Sequence, residues 1–287
     1  MTAPRTTTTA PSSAATAPSS AATAFAGLHR PGDPLLLPNA WDHASARLLA
    51  AQGFPAIGTT SLGVAAAAGL PDGTAATRDE TLRLALALGA EPFLLSVDAE
   101  GGFGEDPRTV GEFARELAVA GAVGVNLEDG LGSPARHAEK MAAVKAAAPG
   151  LFVNARTDTY WCGDGTGTAR RLDAYLEAGA DGVFVPGLTE PAAIAALVRD
   201  LDGTPLNVLY SPAGPTVAEL ADLGVSRISL GSLLYRRALG AAVDALTGIR
   251  AGRTPAGPAP TYEEVRSLAG RAPSQDGMRS PADRTPS

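Results

Sequence analysis

The chain has little of several things, and each shortage excludes something. One cysteine, Cys162, stands in 287 residues, which excludes an intramolecular disulfide and a cysteine-built metal cluster. Aromatic residues make up 5% of the chain against 45% hydrophobic residues overall. Ala, Val and Leu must therefore do most of the packing, which suits helices laid on a parallel sheet better than an aromatic-rich sandwich. No apolar run approaches the roughly 20 residues needed to span a bilayer. Positive charge is in deficit: 23 Lys and Arg face 30 Asp and Glu, a net charge of −7. That argues against nucleic acid or an anionic membrane surface as the partner. A small anionic substrate remains compatible, because one local cation can hold it.

The ends lack bulk as well. Residues 1–24 are almost entirely Ala, Thr, Ser and Pro, with Arg5 the single charge. They contain no apolar h-region, which argues against a secretory signal, and one arginine is too few for a transit peptide. Residues 1–24 and 271–287 read as disordered tails around one folded domain over 25–270, and the expected compartment is the cytoplasm.

Between the tails, short apolar runs alternate with Ala/Leu-rich stretches of helical spacing. Runs at 35–38, 56–60, 93–97, 122–127, 151–155, 182–185, 206–209 and 227–230 read as strands. Helical patterns fill 44–52, 78–88, 109–120, 134–148, 168–178, 190–200 and 217–223, several ending in a glycine suited to a helix C-terminus. Strands alternating with helices in this number give a (β/α)8 TIM barrel. The rival is a doubly wound open sheet, but the first strand runs into "NAWDHASARLL" rather than a glycine-rich phosphate loop. A last barrel helix follows the eighth strand, and a further short helix begins at about Thr261.

A barrel carries its function at the C-terminal ends of its strands, and there the polar residues gather. Asn39 and Asp42 follow the first strand, Asp98 and Glu100 the third, Asn126, Glu128 and Asp129 the fourth, Asn154, Arg156 and Asp158 the fifth, and Asn207 lies in the seventh. Asp98, Glu100 and Glu128 come from adjacent strands and would converge on one point. Carboxylates that close repel one another unless a cation sits among them. With no His or Cys beside them, hard oxygen ligands suit Mg²⁺, with Mn²⁺ as the substitute, rather than Zn²⁺. Arg156 offers a fork for a carboxylate or phosphate. A metal beside an arginine points to a small anionic substrate whose oxygen the metal polarises, as in stabilising a developing enolate.

The segments "GTTSLGVAAAAGLPDG", "SVDAEGGFG", "GVNLEDG", "VNARTD" and "LGVSRISLGSLLYRRALGA" together resemble the isocitrate lyase/phosphoenolpyruvate mutase superfamily. The resemblance implies a Mg²⁺-dependent barrel enzyme that makes or breaks C–C or P–C bonds beside the enolate of a 2-oxo acid. Residue by residue, it implies Asp98 as the direct metal ligand, with Glu100 and Glu128 holding the metal through water. It implies Arg156 as the substrate's grip and Ser61, Leu62 and Gly63 as the cradle of its carboxylate. Asp72, in "LPDG", matches a loop aspartate near the reacting group, and Glu128 and Arg156 join it as candidate catalytic residues; Asn207 is a candidate substrate contact. The departures narrow the chemistry. Lyases acting on isocitrate or methylisocitrate carry a Lys-x-Cys-Gly-His motif where this chain has "LEDGLGSPARHAEK", and Pro186 and Gly187 stand where mutase-type members have a histidine. The expected activity is lyase-type C–C cleavage or decarboxylation of a small 2-oxo or 2-hydroxy carboxylic acid through a metal-bound enolate. The alternatives are phosphoenolpyruvate mutase- or phosphonopyruvate hydrolase-like P–C chemistry and a non-catalytic ligand-binding relative.

The remaining conspicuous residues have plainer readings. His43 belongs to a helix start, His137 to a solvated helix face behind Ser133 and Pro134, and Cys162 to packing or an incidental thiol. Trp41 and Tyr160 either wall the pocket or pack. "GVAAAAG" is small-residue packing or a loop beside the site. The resemblance implies exchange of the terminal helix between subunits of a homodimer or homotetramer; the alternative is that it folds back on its own barrel.

Overall fold

The computed structural model describes residues 20–269. Its strands form a single parallel sheet that curls almost into a closed ring. Pro38 interrupts the first barrel strand, since proline has no N–H to give a ladder, leaving β1 (Leu35–Leu37) and β2 (Asn39–Ala40). β1 pairs with β9 (Arg227–Ser229), and β2 pairs with β3 (Ala56–Thr59). Between them, in chain order, run β4 (Leu94–Asp98), β5 (Ala122–Glu128), β6 (Phe152–Arg156), β7 (Gly182–Val185) and β8 (Leu206–Leu209). With β1 and β2 counted as one strand, this is the (β/α)8 barrel that the alternation predicts.

The outer helices start where their sequences provide caps. In α2 (His43–Ala50), Asp42 and Ser45 form a reciprocal capping box. In α5 (Pro107–Val119), α6 (Pro134–Ala147) and α9 (Pro191–Asp200), the caps Asp106, Ser133 and Glu190 each precede a proline at the first helical position. α4 (Arg78–Leu88), α8 (Thr168–Glu177) and α10 (Val217–Asp222) complete the outer layer. Strand side chains alternate, so Val97, Val125, Leu127, Val153 and Val183 are buried beneath these helices. The residues between them turn into the barrel. Its interior is polar there: the fully buried Arg227 donates from Nη2 to Asn126 Oδ1 at 3.2 Å and from Nε to Ser229 Oγ at 3.2 Å.

Two elements depart from the sequence reading. The expected tails, 1–24 and 271–287, lie outside the described residues except at 20–24, which belong to helix α1 (Ser20–Ala26). Phe25 of α1 is fully buried against Leu35, Leu37, Ala56, Val123 and Phe152 at the N-terminal ends of the strands. α1 is thus a stopper in the bottom of the barrel. A side chain at Gly124 would meet the Phe25 ring at 2.6 Å, so glycine is needed for the stopper to seat. The second departure is "SLGVAAAA", which forms helix α3 (Ser61–Ala68) rather than a loop. Its all-round apolar character gave no periodic stripe to read.

Beyond the packing of Tyr235 on Trp41, the C-terminal helices bury little against the barrel. α11 (Leu233–Arg250) is 18 residues long, yet only Gly248 is buried, and Leu239, Val243 and Leu246 are exposed along one face. α12 (Tyr262–Ser267) buries no residue. Among the described residues, no helix is long and apolar enough to cross a membrane.

Candidate active site

The site sits on the C-terminal rim, where short strand ends hand over to tight turns. After Asp98 the chain reverses with Glu100 at φ +46 and Gly102 at φ +90. A Cβ on Gly102 would come within 2.5 Å of Val110, so this glycine serves the turn. The turn also brings Glu128 alongside, its backbone N–H donating to the Glu100 carbonyl at 2.9 Å. β6 delivers Arg156 next to Glu128, its register partner on β5.

Each acid has a defined neighbour. Asp98 Oδ2 accepts from the Ser61 backbone N–H at 3.1 Å, at the start of α3. Glu100 is buried; it accepts from the Ala75 backbone N–H at 2.9 Å and from the Thr77 hydroxyl at 2.5 Å, anchoring the 71–77 loop. Glu128 Oε2 lies 2.8 Å from Arg156 Nη1, and Arg156 Nε donates to Asp158 Oδ1 at 2.7 Å. Asp129 is part of the scaffold: it accepts from Arg171 at 2.9 Å and Tyr175 at 2.8 Å, tying α8 to the rim.

The electrostatics are set first by burial and then by the charges that share the rim. Burial pushes the Glu128 carboxyl up to about 8, against the pull of Arg156 and with help from Asp98, Asp158 and Asp72. The ion pair points the other way, but burial outweighs it. Burial likewise raises Asp72, whose carboxylate bonds to the Ser61 side chain, and it raises Asp158. Burial works against the charge of Arg156, yet Glu128, Asp158 and Asp98 hold it above its ordinary value.

A pocket of about 140 Å³ opens among these groups, lined by Ser61, Leu62, Asp72, Asp98 and Arg156, with Asn126 and Ser229 also in its wall. The structure therefore brings together five of the residues expected in the site. Glu128 stands just behind Arg156. Gly63 is not in the lining: it is buried in α3, where a Cβ would meet Thr60 and Trp41 at 2.8 Å. Asn207 is also outside; it lies inside the barrel, donating to Ser229 Oγ at 3.0 Å. The three acids expected at one point share a rim but not a point. Among the described residues, no group of three His, Cys, Asp or Glu side chains is poised to hold a metal, because Glu100 is turned toward the 71–77 loop.

The donor set nonetheless fits a hard divalent cation. Asp98 and Glu128 repel each other at the rim, and the Glu128 carboxyl, raised chiefly by burial and further by Asp98, would be eased by a cation between them. Asp98 and Glu128 would hold such an ion, with Glu100 reached through water.

Asp158, Asn126 and Ser229 were readable only as polar rim residues; their roles depend on the side chains they meet. One helix residue differs from its reading more sharply. His137 is buried, with Lys140 beside it, because 137, 140, 141 and 144 form the inward stripe of α6. That spacing is helical and could have been read; their polar identity concealed it. His43 lies 3.0 Å from Glu91, and Asp42 does the capping. Trp41 packs on Tyr235, Tyr160 lies against Gly165, and Cys162 is exposed.

Comparison with known proteins agrees with this geometry. Residues 25–250 match the family described as Phosphoenolpyruvate phosphomutase. Over 236 residues the chain is 44% identical to an uncharacterized protein of Mycobacterium tuberculosis, covering 80% of this chain and 90% of that one. It is 34% identical over 178 residues to 2-methylisocitrate lyase of Bacillus subtilis, covering 57% of this chain and 59% of that enzyme. Among solved structures, a protein of Burkholderia cenocepacia J2315 provisionally described as a lyase/mutase superposes with a TM-score of 0.78 at 39% identity, covering 87% of this chain and 96% of that one.

Proposed function

The chain belongs to the isocitrate lyase/phosphoenolpyruvate mutase superfamily, an assembly of lyases and mutases, and from that premise we propose that it is a Mg²⁺-dependent carbon–carbon lyase. Its substrate is a small 2-oxo or 2-hydroxy carboxylic acid, cleaved or decarboxylated with an enolate as the developing product. The observation that carries the reading is the gathering of four carboxylates, exposed Asp72, half-buried Asp98 and Glu128 and buried Asp158, around the guanidinium of Arg156.

In this reading the cation supplies Lewis-acid polarisation of the substrate oxygen. Arg156 grips the substrate carboxylate with its planar fork, assisted by the Leu62 backbone N–H at the start of α3, the Ser61 N–H being engaged by Asp98. Asp72, with a raised carboxyl, faces the same pocket and is placed to hold or accept a proton of the substrate. Phe184, under Arg156 at 5.8 Å, and Trp161 at the pocket mouth limit water. The connection from β5 to α6, residues 129–133, reads Asp-Gly-Leu-Gly-Ser and contains none of the Lys, Cys or His of the Lys-x-Cys-Gly-His motif. The acid that completes the reaction must therefore differ from that of the methylisocitrate lyases.

We further propose a cytoplasmic homodimer or homotetramer in which the exposed face of α11 covers the barrel of a second copy. The function is tested by thermal-shift titration with oxalate, a planar mimic of the pyruvate enolate. Ligand at a hundredfold excess over Kd stabilises by about 2.7 kcal/mol. The expected shift requires oxalate and Mg²⁺ together and disappears in Asp98→Ala; a shift indifferent to Mg²⁺ would count against the metal–enolate reading.

A further inference from the structure

Arg227 is a positive charge inside the barrel that the chemistry above leaves unused. It stands on β9 two residues before Ser229, with its side chain turned inward. It therefore lies one layer below the floor of the small pocket, whose wall includes Ser229, Asn126 and Asp98.

The side chain is 1% exposed, yet all its hydrogen-bond partners are neutral. Nε donates to Ser229 Oγ and Nη2 to Asn126 Oδ1, both at 3.2 Å, and Nη2 reaches Ser96 Oγ at 3.5 Å. Nη1 has no partner among the described residues. Toward the bottom of the barrel stands His29, stacked on Phe152 and held neutral by burial and then by Arg227 itself. The acid whose charge reaches Arg227 is Asp98, on the pocket side. An unpaired charge is costly to bury, and burial brings this guanidinium down to about 9, still charged at neutral pH.

The hydrogen bonds do not explain why the barrel carries that cost. Asn126 Oδ1 also accepts from Asn154 Nδ2 at 2.9 Å, and Ser229 Oγ from Asn207 Nδ2 at 3.0 Å. Both acceptors keep a donor without the arginine, so its removal orphans neither. The Ser96 contact is too long to count for much. What Arg227 adds is charge, beneath a pocket that Arg156 already suits to an anion.

We propose that Arg227 is a positioning residue of the site, orienting Asn126 and Ser229 from beneath the floor and biasing the pocket toward anions by its charge. The proposal rests on the lyase reading above and adds a second cation to it. Two residues along a strand span roughly 7 Å. Over that distance, at an effective dielectric of about 20, a unit charge changes affinity by roughly ten- to fiftyfold. The sign is opposite for Mg²⁺, which the same charge repels.

The test titrates Mg²⁺ alone, and then oxalate at saturating Mg²⁺, calorimetrically into the full chain, Arg227→Met and Arg227→Lys, beside urea unfolding of each. Arg227→Met should weaken oxalate by roughly tenfold or more, tighten Mg²⁺, and unfold at the same or higher urea than wild type. Arg227→Lys keeps the charge and should hold both affinities near those of wild type. If Arg227→Met binds both ligands as wild type does, the charge is not felt in the pocket and the proposal is wrong. If it weakens both together, or fails to fold, the arginine only braces the barrel, and that also overturns the proposal. If oxalate fails to bind wild type, the lyase reading fails, and the change in Mg²⁺ affinity alone decides the role of Arg227.

Discussion

Glu128 gives the most demanding prediction, because its raised carboxyl makes stability fall as pH rises. The group moves from its ordinary 4.5 to about 8 in the folded chain. Between those values the folded state holds a proton that the unfolded state has released, so stability decreases with pH at up to about 1.4 kcal/mol per unit. His29 and His137, lowered to about 3 and about 4 chiefly by burial, produce the opposite slope, but only below pH 6.5. The histidine slope fades over about a unit above pH 6.5 and is common to wild type and a Glu128 variant, so from pH 6.5 to 8 the Glu128 slope is read as the difference between the two. Integrated up to a half-titrated group, the loss is roughly 1.5–2 kcal/mol, or about 3–8 °C for a domain of this size. The assay is urea or thermal unfolding of chelator-treated protein at three pH values across that window. Relative to Glu128→Gln, wild type should lose stability as pH rises, and Mg²⁺ should remove that difference by favouring the ionised carboxylate. Equal slopes in wild type and Glu128→Gln would refute the reasoning, because the variant cannot titrate.

Two further outcomes follow from other parts of the fold. As pH falls from 6.5 toward 4, the unfolded chain binds a proton that buried His137 refuses, removing on the order of 3 kcal/mol; His137→Gln should show a shallower acid limb in urea midpoints, and an identical limb would mean that the histidine charges without penalty. Leu246→Asp on the exposed stripe of α11 should run as a smaller species than wild type in size-exclusion chromatography with light scattering if the proposed assembly holds, whereas an unchanged mass would show that this stripe is not an interface.

How far the sequence could be read depended on whether the signal was local. The strands Gly182–Val185 and Leu206–Leu209 and the helix Arg78–Leu88 match their expected limits residue for residue, because apolar periodicity and capping act over a few positions. α1 was hidden because a single large residue, Phe25, seats it, and its value lies in the distant strands that it touches. α3 was hidden because alanine on every face gives no stripe. The acids of the rim were legible, since a charge ending a buried strand needs a reason. Their partners were not: that Glu100 turns to Thr77 and Glu128 to Arg156 is settled by rotamers and packing across strands. His137 sat in plain helical register with Met141 and Val144, and reading residue type before position placed it outside.

The seam of the barrel sets the order in which the site can come into being. β1 must pair with β9, and Asn39 Oδ1 accepts from the backbone N–H groups of Leu230 and Gly231 at 3.0 and 2.9 Å, across sequence separations of 191 and 192. Contacts between segments that far apart form slowly, since the loop entropy must be met before they stabilise anything. During synthesis the first strand leaves the ribosome long before its partner exists, and it waits with an unpaired edge. Gly231 and Ser232 belong to the wall of the small pocket, so the pocket is complete only when the ring closes. A chain interrupted before β9 could fold much of its helical layer and still have no place to bind an acid.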